Sequence, residues 1–176
     1  YISANALAAV GSVGPMSSLL MGLAMGVTGG FAIPIAHSFG AGDKKRTNHY
    51  AGNAIALTII ISLAIMSLSL FLVKPILTLL GTPEEIFSDA RLYVSIIYAG
   101  AIFTTLYNVL ASILRALGDS KAPLKFLTVT AVLNVFLNYF TIAILGMGVD
   151  GAAISTVLSQ LVSCILCVIY IKSRKE

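Results

Sequence analysis

Thr130, Asn134 and Asn138 recur at every fourth position within an otherwise apolar stretch, and Thr156, Gln160 and Ser163 fall on a similar face of the next one. Thr104, Asn108 and Ser112 repeat the spacing of four earlier in the chain. That spacing stacks side chains near one helix face. Carboxamide and hydroxyl oxygens have three uses at such positions. They can coordinate a hard cation, hydrogen-bond a solute, or pair one helix with another. Residue types alone leave the three open. Asn134, Asn138, Thr156 and Gln160 are the candidate binding cluster.

Other chemistries find no residues. No Ser/His/Asp set, no metal-ligand spacing of His with carboxylates and no phosphate loop is present. His37 and His49 both lie near one loop, and the carboxylates sit in loops or at the tail. Glu84 and Glu85 are adjacent, so on a helix they diverge by about 100° and do not converge on one substrate. The expectation is therefore a protein that is not an enzyme and carries no cofactor. Cys164 and Cys167 form a C-x-x-C, but no basic neighbour lowers a thiol pKa there, so they read as small packing residues.

The elements that must position the cluster follow from composition. Of 176 residues, 58% are hydrophobic and 10% are charged, against about 25% charged in soluble domains. Mean hydropathy is +0.98. Eleven Lys and Arg give a net charge of +4, too few and too scattered to track a nucleic-acid backbone. Five charge-free runs, Tyr1–Gly42, Thr47–Val73, Leu92–Leu114, Phe126–Val149 and Gly151–Ile171, are each at least as long as the roughly 20 residues of a membrane-spanning helix. Backbone in hydrocarbon must satisfy its own hydrogen bonds, so the runs are helices; a barrel would show alternating segments of about 10 residues. The fold class is an all-α, multi-pass membrane bundle, with spans at about 14–38, 50–73, 92–114, 126–146 and 151–171.

Loop charge orients the bundle. Lys44, Lys45, Arg46, Arg115, Lys121, Lys125, Lys172, Arg174 and Lys175 fall on one side, and Lys74 and Arg91 on the other. The positive-inside rule makes the first side cytoplasmic and places Glu84 outside. Tyr1 is then external, so the chain reads as an excerpt whose simplest completion is one preceding helix, giving a six-helix unit.

Several local features refine this reading. Ser18, Gly22, Gly26, Gly30 and Pro34 form a small-residue stripe at which another helix backbone can approach. Pro34 is expected to bend the first span near its inner end. Gly40 to Asp43 should end that span in a turn. Thr82, Pro83 and Glu85 are expected to start a helix with a capping box. His49 and Asn53 read as interfacial polar residues. The short turn at residues 146–151 makes the fourth and fifth spans antiparallel neighbours. A rise of about 1.5 Å per residue sets Asn138 level with Gln160, with Thr156 one turn nearer the outside.

A set of ordered stretches completes the picture: Ala6-Leu7-Ala8-Ala9-Val10-Gly11, Phe39-Gly40-Ala41-Gly42-Asp43, Leu114-Arg115-Ala116-Leu117-Gly118-Asp119 with Pro123, Leu133-Asn134 to Leu137-Asn138, and Gly148 through Thr156. Their order and spacing over nearly the whole chain resemble the multidrug and toxic compound extrusion (MATE) transporters. The best fit is helices two to six of that family's N-terminal lobe. The resemblance implies twelve helices in two six-helix lobes around a central cavity. It implies antiport of Na+ or H+ against small organic, often cationic, compounds, in a plasma membrane expected to be the bacterial inner membrane. The partners it implies are those substrates, membrane lipid and the C-terminal lobe of the same full-length chain, with no nucleic acid. It also implies that Asn134, Asn138 and Thr156 share a cation site, as Na+ ligands, with an Asp of the first helix. Many members have Asp where this chain has Asn138, and an amide cannot carry a proton. Two other readings remain: a lipid-linked oligosaccharide flippase of the same superfamily, or a non-transporting membrane bundle.

Overall fold

The computed structural model describes residue 11 and residues 14–173; the Ala6–Val10 stretch, Arg174 and Lys175 lie outside them. The helices in chain order are α1 (Gly14–Gly30), α2 (Ala32–Gly40), α3 (Lys44–Leu79), α4 (Glu84–Ala99), α5 (Ala101–Ala116), α6 (Lys121–Asn138), continued by a π-helical turn over Tyr139–Ile144, and α7 (Val149–Ser173). No strand occurs among the described residues. Among the described residues four stretches are long and apolar enough to cross a membrane: Lys44–Leu79, Glu84–Ala116, Lys121–Ile144 and Val149–Ser173.

The expected first span is divided. α1 and α2 meet at Phe31, which keeps helical φ/ψ (−67°, −20°). The cause lies at Pro34: its ring nitrogen cannot donate to the carbonyl of Gly30, and the ring crowds that carbonyl. The bend therefore falls one turn before the proline. The second span is longer than its charge-free run. α3 has 36 residues, or about 54 Å at 1.5 Å per residue, more than the roughly 30 Å hydrocarbon core, and it runs on through Pro75.

Turn chemistry sets the helix ends. Gly42 (φ 74°) and Gly118 (φ 85°) take the left-handed conformation that closes α2 and α5. Asp43 then caps α3, accepting from Arg46 N at 2.9 Å. The capping box expected at Thr82 does not form. Pro83 is the N-cap of α4, without a side-chain hydrogen bond, and the buried Thr82 Oγ1 has no partner. With Pro83 holding an extended ψ of 143°, the helix starts one residue later than Thr82 could serve.

Packing centres on α5, nine of whose 16 residues are buried. Toward the basic end, Ile35 of α2, Ala54 of α3, Tyr107, Leu110 and Leu114 of α5, and Cys164 and Cys167 of α7 share one core cluster. Toward the other end, Val73 and Leu77 of α3 pack on Ile86, Ala90, Val94 and Tyr98 of α4. The two cysteines are free thiols inside this packing. Lipid tails supply no hydrophobic drive between helices, so close approach and hydroxyl bonding must do the holding. Tyr107 OH donates to Pro123 O at 2.9 Å, pinning α5 to the start of α6.

The small-residue stripe behaves differently from expectation. Gly22, Gly26 and Gly30 are exposed, and nothing stands within 4 Å of where a Cβ would project from any of them. The stripe lies on the outside of the described helices instead of packing against one of them.

Candidate functional site

α6 and α7 are held together by hydroxyls. Thr130 Oγ1 and Ser163 Oγ are hydrogen-bonded across the pair. One end further on, Thr141 Oγ1 meets Ser155 Oγ at 3.0 Å and Gly151 O at 3.2 Å. The side chains of Thr130, Thr141, Ser155 and Ser163 are all buried. Gly151 makes the approach possible, since a Cβ there would stand 2.8 Å from Met147 Cβ and 3.2 Å from Thr141 Cβ. Two bridges at opposite ends fix an antiparallel register, as the short turn requires.

That register moves the expected levels by one turn. Interpolating between the bridges sets Asn138 near the level of Val157, next to Thr156, and Asn134 opposite Gln160, not Asn138 opposite Gln160. The reason is local: α7 begins at Val149, inside the stretch counted as turn, and the π-helical turn takes up residues 139–144 at the end of α6.

The amides stand beside the hydroxyl seam. At about 100° per residue, Asn134 and Asn138 are turned from Thr130 by about 40° and 80°, and Thr156 and Gln160 from Ser155 and Ser159 by about 100°. Both helices are right-handed and run antiparallel, so these rotations lead to the same side of the seam. On that side α7 also turns Cys164 and Cys167 into the core it shares with α5. The four candidate residues thus lie on the same side of the seam.

Their hydrogen bonding is incomplete. Asn138 Nδ2 donates to Asn134 Oδ1 at 3.0 Å, within one helix. Asn138 Oδ1 is buried without a hydrogen-bond partner, and so is Gln160 Oε1. Thr156 Oγ1 donates to Ala152 O at 2.9 Å, which leaves its lone pairs available. Among the described residues no hydrogen bond joins an amide of α6 to Thr156 or Gln160, and of the four only Asn134 and Asn138 pair with each other. Among the described residues no three His, Cys, Asp or Glu side chains come together. The donors at this depth are neutral oxygens, the type that hard cations accept.

Sequence reading passed over Thr141, Ser155 and Ser159. Their signal is the spacing of four that Ser155 and Ser159 share with Ser163. His49 Nε2 lies 3.1 Å from Asn53 Nδ2 on an exposed face, as expected of interfacial residues.

Comparison with known proteins fits this arrangement. The MatE family model matches residues 1–140. The chain belongs to the MatE family. It is 30% identical over 182 residues to the probable multidrug resistance protein YoeA of Bacillus subtilis (strain 168), covering 100% of this chain and 39% of that protein. It is 33% identical over 165 residues to the probable multidrug resistance protein NorM of Thermotoga maritima, covering 90% of this chain and 34% of that one. A solved inward-facing conformation of a multidrug resistance MATE family transporter of the MOP superfamily superposes with a TM-score of 0.93 at 29% identity, over 98% of this chain and 39% of that chain. This MatE chain therefore spans about two fifths of the length of these relatives. It is a multi-pass membrane protein with the helical fold of a MATE transporter.

Proposed function

We propose that the intact protein is a secondary transporter that exports small organic compounds, cationic ones among them, in exchange for a cation. This chain would supply helices two to six of its N-terminal lobe, with a preceding helix and a C-terminal lobe contributed by the rest of the protein, in a bacterial inner membrane. Asn134, Asn138 and Thr156 would bind the coupling ion, with Gln160 beside them. Na+ suits these donors better than H+, because neither an amide nor a hydroxyl changes protonation in the physiological range.

The observation that carries the reading is the division of labour between α6 and α7. Hydroxyl pairs bind the two helices to each other, while the amides do not bridge them. Buried carboxamide oxygens without partners are costly, and a cation is a ligand that would repay two of them. Against the rival view, that the amides serve only as glue between helices, stands the bridging already made by the hydroxyls. Alternating access then requires that cation and organic compound favour opposite-facing states, since a ligand shifts an equilibrium only by its differential affinity.

Asn134→Ala and Asn138→Ala in the full-length protein test the proposal in everted membrane vesicles. Folded variants should show weakened Na+ dependence of substrate efflux. Unchanged ion dependence in well-folded variants would sink the proposal, and loss of folding in both would favour the glue.

A further inference from the structure

At the basic end of the bundle, the turn after α5, the start of α6 and the last turns of α7 line an open cavity of about 690 Å³. Pockets for small ligands span roughly 300–1,000 Å³. Lys121 and Lys125 line it one helical turn apart, both exposed, and the ion pair among the described residues, Arg46 with Asp43, involves neither. The acid in the lining, Asp119, is turned into the wall. Its Oδ1 accepts from Ala122 N at 3.1 Å and its Oδ2 from Tyr170 OH at 2.7 Å. Phe126 meets the Tyr170 ring edge-on at 5.5 Å, so an aromatic pair stiffens the same wall. The cavity therefore presents two ammonium groups beside an acid that is engaged by Ala122 N and Tyr170 OH.

What lies beside it names the ligand. Leu124, one residue before Lys125, is 64% exposed, and Val132 and Val135 further down α6 are 52% and 68% exposed. On a membrane-spanning helix such an apolar strip is a surface along which acyl chains can lie. A cation pair at the end of a lipid-facing strip, on the side to which the charge rule assigns the cytoplasm, is the arrangement of a headgroup site. We propose that this cavity binds the phosphate of an anionic phospholipid of the cytoplasmic leaflet between Lys121 and Lys125, with the acyl chains lying along Leu124, Val132 and Val135. A soluble phosphate would use the same two ammonium groups but would gain nothing from the strip. The site stands apart from Asn134, Asn138, Thr156 and Gln160 and does not depend on the transport reading.

Short-chain phosphatidylglycerol titrated into the detergent-purified full-length protein, with retained lipid counted by native mass spectrometry, tests it. A lysine near an anionic lipid surface is worth roughly fivefold in affinity, so K121Q/K125Q should weaken the tightest binding event about 25-fold. K44Q/K45Q removes the same charge from another loop of the same face and should change it little. Both pairs are exposed, so folding is not at stake. Equal losses in the two variants would show diffuse surface charge, and no loss in K121Q/K125Q would show a different site; either result overturns the proposal. Glycerol phosphate, the headgroup without acyl chains, should fail to displace the lipid at matched concentration, and equal displacement would assign the cavity to a soluble anion instead.

Discussion

Gly100 sits between α4 and α5, buried, and closes on Val157 of α7, the residue after Thr156. A Cβ at position 100 would stand 2.2 Å from Val157 Cγ2, 2.6 Å from Cγ1 and 2.9 Å from Cβ. Rotating χ1 of Val157 cannot clear all three, because Cβ does not move with it, and a β-branched side chain in a helix has one strongly preferred rotamer. Gly100→Ala therefore has to push α7 away from the α4–α5 junction. Overpacking of this kind costs about 1–3 kcal/mol. Against it stands the helix propensity gained by replacing Gly with Ala, about 1 kcal/mol. The sign of the net effect decides the matter: contact with Val157 predicts a loss of up to about 2 kcal/mol, whereas a glycine without a packing role predicts a gain. Thermal unfolding of the detergent-purified full-length protein, followed by fluorescence-detected size exclusion, reads the difference. Gly100→Ala with Val157→Ala should recover most of the loss, since only the 2.9 Å contact remains. A stabilised Gly100→Ala, or a double variant no better than the single one, would refute the reasoning.

Thr141→Val keeps the shape of the side chain and removes the hydroxyl that meets Ser155 Oγ and Gly151 O. Ser155 retains its bond to Gly151 O, so the expected cost is about 1 kcal/mol, measured as a fall in thermal stability with the fold intact. Lys45→Cys in a cysteine-free full-length background should resist a membrane-impermeant maleimide in intact cells and react in everted vesicles, because the nine basic residues on its side place it in the cytoplasm. Labelling from outside would invert the topology.

Much of the fold was legible because charge is so costly in hydrocarbon that its absence marks the spans. The helix breaks were only partly legible. Pro34 announced a bend, yet the bend falls at Phe31 because proline acts on the turn before it. Glu84 and Pro83 announced a helix start, but a side-chain cap depends on backbone angles at Thr82 and Pro83 that residue types do not fix. At the candidate site, the spacing of Asn134, Asn138, Thr156 and Gln160 was enough to place them on one side of the α6–α7 seam. Their relative depth was not, because it depends on the π-helical turn at Tyr139–Ile144 and on where α7 begins. The hydroxyl seam of Thr130, Thr141, Ser155 and Ser163 needed both helices in place, since the bonds that join α6 to α7 cross 14 and 33 residues of chain. The glycine stripe of α1 shows the reverse case: a pattern that reads as packing finds no neighbour within the described residues.

The central claim is that the oxygens beside the α6–α7 seam hold the coupling cation. Equilibrium binding of ²²Na+ to the purified full-length protein tests it most directly, comparing the native protein with Asn138→Leu, which removes the partnerless Oδ1 but keeps the branching of the side chain. The account predicts saturable binding that is weakened at least tenfold in a variant that still elutes as a folded species. Unaltered Na+ affinity in folded Asn138→Leu would contradict it.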